Sequence, residues 1–429
     1  MKAVFRKIHK FLKVFGPGLI TGAADDDPSG IATYTQTGAK FGYGQLWTVI
    51  AMLPLMTAIQ EACARIGAVT GHGLASVIKA NYSKKVLYSA VMLVVVANTI
   101  NIGADIGALA AAAQLLIPVN FVVLTLGFTA LILTLEIFTT YRVYSRILKW
   151  LALALITYPV TVFIVHQPWK TLAIATFWPH IEMNFEFFFI ITGVLGTTIS
   201  PYMFFWQASE EVEEEKSEHM KINNGKPVLG RNFIRNLRMD NFVGMVFSEI
   251  ATWSIIVVAA SVLHENGIVN VNSAADAAKA LEPLVQTFPN AGFLAKLIFA
   301  TGIIGLGLLG IPVLSGSAAY ALSEAFNMKQ GLNLKLKKAH GFYGIITIAT
   351  LIGLMINFIG IDPIKALVFT AVFNGVAAVP LIFLIARIAR NKKIMGENRS
   401  GWMSNTVVWI TFLVMLASAV AMFFTLARG

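Results

Sequence analysis

Residues 16–47 read GPGLITGAADDDPSGIATYTQTGAKFGYGQLW, an apolar stretch interrupted by Asp25-Asp26-Asp27, Pro28 and Gly30. A second stretch, residues 193–215, reads GVLGTTISPYMFFWQASEEVEEE and carries Pro201 in its middle. Proline removes a backbone donor and clashes with the preceding turn. Both stretches therefore predict interrupted helices, unwound around Pro28-Ser29-Gly30 and over Thr197–Pro201. The surroundings of those two breaks decide the fold.

The surroundings are apolar. Of 429 residues, 57% are hydrophobic and 13% charged, and the mean hydropathy is +0.72. Soluble domains average nearer 45–50% apolar and about 25% charged, so a soluble enzyme, a disordered chain and a coiled coil are excluded. The single cysteine, Cys63, cannot form a disulfide within the chain. A membrane helix needs about 20 mostly apolar residues. Eleven such segments are expected, near 17–38, 43–63, 87–113, 121–139, 147–166, 187–209, 241–263, 292–318, 341–360, 364–386 and 404–427.

The net charge of +11 follows from this topology rather than from nucleic-acid binding. With the N-terminus inside, 27 of the 33 Lys and Arg residues fall on the cytoplasmic side and six outside, at Lys40, Lys170, Lys279, Lys296, Lys365 and Arg428. That asymmetry fits the positive-inside rule. One span more or fewer would invert every later loop, so the count favours eleven spans, N-terminus in and C-terminus out, in a cell membrane. Residues 1–15 place Val4, Phe5, Ile8, Phe11, Leu12 and Phe15 at helical spacing among lysines, as in an interfacial amphipathic helix. No apolar core with a small-residue cleavage site marks a targeting peptide there. Composition does not separate lipid-facing from subunit-facing surfaces, so the oligomeric state stays open.

Two interrupted spans lying five apart predict inverted repeats, with repeat one over 16–167, repeat two over 187–390, and 404–427 as an extra helix. Transporters so built bind substrate at the midplane between their broken helices. A charge at the centre of a span costs at least about 2.5–3.5 kcal/mol, so three adjacent aspartates call for an offsetting cation. Neighbouring helical residues point about 100° apart, and Asp27, beside Pro28, is the expected primary ligand. Asp25 and Asp26 either line the approach or bond adjacent helices. The Ser200 hydroxyl and the main-chain carbonyls of Thr197 and Ala24 complete an oxygen-only set, which suits Mg²⁺, Mn²⁺ or Ca²⁺.

Other polar residues mark a path, a coupling role or interhelical glue. Asn98, Asn101 and Asp105 share one face of span 3; Glu249 lies beside Ser248 and Thr252; Thr370 and Asn374 are four apart in span 10. The run Glu210–Glu215 reads as a solvated face pairing with Lys216, Lys221 and Arg231–Arg238. Gln60, Glu61 and Arg65 end span 2 in the same manner, and Tyr141, Arg142 and Arg146 read as a cytoplasmic clamp.

From Gly16 through span 10 the chain resembles the Nramp family of divalent-metal transporters. The matching stretches are Gly16–Gly18, Asp27-Pro28, KFGYGQLW from Lys40, EACARIGAVTG from Glu61 and the glycine-rich start of span 6. The resemblance implies an all-α membrane protein of LeuT-like 5+5 inverted-repeat fold, with helices 1 and 6 broken and one helix added. The family's Asp-Pro-Gly-Asn stands here as Asp27-Pro28-Ser29-Gly30, which puts Gly30 at the position of an Asn ligand. Its Met-Pro-His stands as Ser200-Pro201-Tyr202, which exchanges a thioether for a hydroxyl and an imidazole for a phenol. Acidic positions of the family's third helix fall on Asn101 and Ala104, with Asp105 adjacent. Its tenth-helix glutamine lacks a counterpart around Ala371–Asn374.

These departures resemble the Nramp-related magnesium transporters, a branch without the methionine. The expectation is a secondary transporter moving Mg²⁺ or Mn²⁺ by alternating access, weakly or not coupled to protons. A proton-coupled Mn²⁺/Fe²⁺ symporter using Asp105 or Glu249 is the first alternative, and an amino-acid or small organic solute carrier of the same architecture the second. The loops hold no nucleotide loop, zinc signature or nucleophile–base pair, so no enzyme and no cofactor are expected beyond the transported cation.

Overall fold

The computed structural model describes residues 22, 25–139, 153–217, 222–223, 226–227, 229–230 and 233–428. The expected amphipathic segment 1–15, Ala24, and the Tyr141–Arg146 clamp lie outside the described residues.

The described chain is helical apart from a two-residue antiparallel ladder, Ile222–Asn223 with Lys226–Pro227. Its main helices are α1 (Pro28–Phe41), α2 (Trp47–Thr70), α3 (Leu74–Asn81), α4 (Lys84–Gln114), α5 (Phe121–Phe138), α6 (Thr157–Ile164), α7 (Trp169–Phe177), α8 (Phe185–Thr198), α9 (Pro201–Ser217), α10 (Phe233–Ala259), α11 (Ala291–Ala325), α12 (His340–Ile356), α13 (Pro363–Arg390) and α14 (Trp402–Arg428). Eight stretches among the described residues are long and apolar enough to cross a membrane: α2, α4, α5, Phe185–Glu215, Phe233–His264, α11, α13 and α14. Helix α12 is equally apolar but shorter.

The helix starts follow from capping chemistry. Asn120, Asn184 and Asp362 each turn a side-chain oxygen onto the first free amides of α5, α8 and α13, at 2.8–2.9 Å, and Pro363 sits at the first turn of α13, where it forfeits no hydrogen bond. Exposed large residues, among them Leu126, Leu131, Leu413, Val420 and Phe424, cover the outer faces of α5 and α14. On helices of this hydropathy such a surface faces lipid.

Inside, α4 runs against α11, α12 and α13, and α8 lies against α13 and α14. Backbones come close where side chains vanish. A Cβ on Gly196 would strike the backbone of Ala371 and Gly375, and one on Gly353 would sit 2.9 Å from the Gly103 amide nitrogen. Small residues at such crossings are how membrane helices gain contact without a hydrophobic driving force between them.

Three expectations change. The first break precedes Pro28 instead of following it: Asp27 is extended (φ −65°, ψ 174°) and Ser29-Gly30 are already helical, because proline fits the first helical position. The second narrows to Ile199 and Ser200, with Thr197 still in α8 and Pro201 opening α9. The acidic run is not wholly a solvated face. Glu211 and Glu215 are buried since α9 is wedged against α2 and α11; Gln207 donates to Glu211 (3.0 Å) and Asn333 to Glu213 (2.9 Å). The side chains of Lys216, Lys221 and Arg231 lie outside the described residues.

The end of span 2 is likewise interior. Glu61 and Arg65 are buried and form an ion pair within α2. Arg238 of α10 reaches the same Glu61 oxygen at 3.0 Å, and Ser404 of α14 donates to the other at 3.2 Å.

Candidate metal site

The chain opens between Asp26 and Pro28, and the site is built around that opening. Asp27 caps α1: its Oδ1 accepts from the Gly30 amide (3.0 Å) and from the Ser29 hydroxyl (2.5 Å). Its other oxygen turns away from α1. Oδ2 accepts from Asn101 Nδ2 of α4 at 3.1 Å and from the Tyr202 hydroxyl of α9 at 3.3 Å. A carboxylate 1% exposed is thus held by donors from three helices. Helix α11 closes the remaining side with glycine, since a Cβ on Gly310 would lie 3.3 Å from the Asp27 Cβ.

The broken helices are tied to each other directly. Ser29 Oγ and Thr197 Oγ1 are 3.1 Å apart, and the Tyr34 and Thr198 hydroxyls 2.8 Å apart. A side chain on Gly30 would meet Thr197 Oγ1 at 3.4 Å and the Tyr34 ring at 3.2 Å. Glycine there lets α1 and the end of α8 approach. The Ser200 hydroxyl donates back to the Gly196 and Thr197 carbonyls, at 2.6 and 2.7 Å. It marks the break, and its hydrogen is committed to its own helix. The carbonyl of Tyr202 is anchored to α11 by Ser317 (2.8 Å).

The three aspartates part company, because the chain turns extended at Asp27. Asp25 and Asp26 face α10, where Ser248 donates to both (2.8 and 3.3 Å) and Thr252 to Asp26 (3.5 Å). Of the two expectations for this pair, bonding an adjacent helix describes what they do. Glu249 is buried on the same helix, and neither of its oxygens has a hydrogen-bond partner among the described residues. Asp105, one turn beyond Asn101, is buried with both oxygens in the same condition. Asn374 is buried on α13 with its amide nitrogen unpartnered, and among the described residues no hydrogen bond ties it to Asp27. Asn98 bonds the Leu314 carbonyl at 2.8 Å, as interhelical glue.

Among these groups one detail bears on ligands. Asn101 gives its nitrogen to Asp27, while its Oδ1 is buried and has no hydrogen-bond partner among the described residues. Every polar atom on the Asp27 cluster is nitrogen or oxygen, with no thiolate or imidazole. Groups of three or more His, Cys, Asp and Glu arranged for a metal are absent among the described residues. A cation placed at this cluster would meet one carboxylate, that of Asp27, and neutral oxygens.

The sequence profile of the Nramp family, described as natural resistance-associated macrophage protein-like, matches residues 18–425. The chain belongs to the Nramp family. Among Nramp relatives, the divalent metal cation transporter MntH of Caldanaerobacter subterraneus is 24% identical, over 98% of this chain and 95% of that protein. The MntH of Chromohalobacter salexigens is 27% identical, over 94% and 89%. The crystal structure of the Eremococcus coleocola manganese transporter superposes with a TM-score of 0.73 at 16% identity, covering 96% of this chain and 88% of that one. This likeness shows a common fold.

Ser29 and Gly310 adjoin Asp27 as well, and neither stands out in the sequence as a candidate. Ser29 stands two residues after a capping aspartate, a place where a hydroxyl turns back onto the cap. Gly310 belongs to the series Gly302, Gly305, Gly307, Gly310 of α11, whose spacing signals close helix approach. Nor does the bond from Ser315 to the buried Glu136 of α5 (2.6 Å) stand out there.

Proposed function

We propose that the chain is an alternating-access secondary transporter of a hard divalent cation, Mg²⁺ or Mn²⁺, with Asp27 as its primary ligand. The observation that carries this is the buried Asp27 carboxylate at the helix break, held by α1, α4 and α9 beside an Asn101 oxygen without a partner. A divalent ion displacing the Asn101 and Tyr202 donors would take Oδ2 of Asp27, the Asn101 amide oxygen, the Thr197 hydroxyl or carbonyl, and water. The Ala24 carbonyl and, after a rotation of its hydroxyl, Ser200 are further ligands in this reading. Gly30 contributes room rather than an atom of its own side chain. Hard oxygen ligands of low total charge suit an ion that keeps part of its hydration shell, as Mg²⁺ does. The relatives, two divalent metal cation transporters and a manganese transporter, support the substrate class.

The membrane arrangement in this reading has eleven spans in a 5+5 inverted repeat, divided 16–167 and 187–390, with α14 outside the repeats. The N-terminus is cytoplasmic and the C-terminus external. Transport runs down the gradient and the membrane potential, which supplies about 2.3 kcal/mol per charge per 100 mV. Asp25 and Asp26 are positioning groups bonded to α10, and the phenol Tyr202 replaces an imidazole, so coupling to protons is weak or absent. A second reading, proton-coupled transport, is favoured by the unpartnered carboxylates of Asp105 and Glu249. The test is Mn²⁺ uptake into proteoliposomes with Mg²⁺ in excess. Suppression by Mg²⁺ is expected; uptake indifferent to a thousandfold excess of Mg²⁺ would overturn the hard-cation assignment.

A further inference from the structure

Away from the metal site, a polar cavity of about 520 Å³ opens between the end of α13 and the start of α14, against the turn after α3. Its wall carries Arg387 and Arg390, with Asn391, Asn405, Tyr82 and Trp409 between them, and no carboxylate lines it. Neither arginine forms an ion pair among the described residues; the nearby Glu397 pairs instead with Lys392, at 3.7 Å. Two guanidinium groups sharing one cavity repel each other unless an anion sits between them.

Aromatic rings frame the cavity. Arg387 lies over the Phe383 ring, 5.7 Å from its centroid, and Phe383 packs edge-on against Trp409 at 5.6 Å. Asn405 lines it between the Ala386 carbonyl (3.0 Å) and the Trp409 indole (3.2 Å), and an amide turned to donate to the first and accept from the second satisfies both. Arginine presents a planar fork that matches phosphate oxygens two at a time. Trp409 and Tyr82 are the amphipathic aromatics that settle at headgroup level. Both flanking helices end here, at the membrane surface, and exposed Trp402 and Met403 lead the first turn of α14.

We propose that this cavity binds the phosphate of an anionic phospholipid, one headgroup bridged by Arg387 and Arg390 while its chains lie along the apolar face of α14. Basic pockets between membrane helices on the cytoplasmic side are built for such headgroups. Assigning it to the cytoplasmic leaflet rests on the orientation read from the loop charges; the site itself does not depend on the metal assignment.

The experiment is native mass spectrometry of the full chain from mixed phosphatidylglycerol and phosphatidylcholine, with thermal unfolding of delipidated protein in parallel. Wild type is expected to retain phosphatidylglycerol over phosphatidylcholine. Arg387→Gln with Arg390→Gln should weaken that retention about thirtyfold, roughly fivefold per arginine, whereas Arg387→Lys with Arg390→Lys keeps most of it. Equal retention of both lipids, or unchanged retention in the Gln variant, would overturn the proposal. Protection by millimolar inorganic phosphate equal to that by lipid would overturn it too, identifying a soluble anion as the occupant. None of these readouts involves transport, so they stand apart from the metal assay.

Discussion

Asp27→Asn separates the cation-binding role of Asp27 from its structural one. Asn caps a helix about as well as Asp, and its side-chain oxygen keeps the two bonds of Oδ1, from the Gly30 amide (3.0 Å) and the Ser29 hydroxyl (2.5 Å). The new amide nitrogen replaces Oδ2, where Asn101 and Tyr202 now donate. Tyr202 can rotate its hydroxyl to accept. Asn101 can turn its amide over and present Oδ1, which has no hydrogen-bond partner now. The stability cost should stay within about 1 kcal/mol, the worth of one net hydrogen bond. Binding fares otherwise. A unit charge about 4 Å from another is worth about 4 kcal/mol at an effective dielectric near 20, and double that toward a divalent ion. Desolvation returns much of this, leaving a net loss of about 3 kcal/mol, or two decades in Kd. Calorimetric titration of Mn²⁺ and Mg²⁺ into detergent-solubilised wild type and variant, with unfolding curves beside it, reads both quantities. A folded variant binding either ion within threefold of wild type would refute the assignment of Asp27 as ligand.

Gly196→Val should destabilise the fold by about 1–3 kcal/mol, the cost of overpacking, because its Cβ meets the Ala371 and Gly375 backbone; an unchanged thermal midpoint would contradict that crossing. Glu61→Gln strands the buried Arg65 and should cost about 3–5 kcal/mol. Arg238→Ala, which removes a half-exposed partner, should cost under about 1 kcal/mol; chemical denaturation of both variants checks the order. Ser200→Met offers a thioether at the second break and should tighten Cd²⁺ binding about tenfold, since soft ligands select soft ions. No change in a Cd²⁺ titration would remove position 200 from the ligand set.

The breaks were legible in the sequence because proline and adjacent carboxylates are rare in apolar runs, and their physical consequences are local. Their exact edges were not, since the same proline either ends one helix or begins the next, and Asp27 resolved that by capping α1. That Asp27, Thr197 and Tyr202 are polar groups at the breaks could be read from their types. Direction could not. Ser200 turns onto the Gly196 and Thr197 carbonyls, a local choice a hydroxyl at a helix end has beside facing outward, and Asp25 and Asp26 turning to Ser248 depends on how α10 is rotated about its axis. Burial of Glu211, Glu215 and Glu61 escaped for a related reason. A charged run at a helix end looks the same whether water or another helix covers it, and here α9 and α10 both pack against α2. Asn101 was legible as a polar residue in a span, but its bond to Asp27 joins positions 74 residues apart.

A hard divalent cation is proposed to pass the Asp27 site without obligatory proton movement. Proteoliposomes loaded with a Mg²⁺ dye and a pH dye, read in parallel at fixed membrane potential, measure both at once. The expected result is Mg²⁺ entry that an imposed pH gradient does not alter, without internal acidification, and lost in Asp27→Asn. Entry of Mn²⁺ but not Mg²⁺, accompanied by acidification, would contradict it and transfer the coupling role to Asp105 or Glu249.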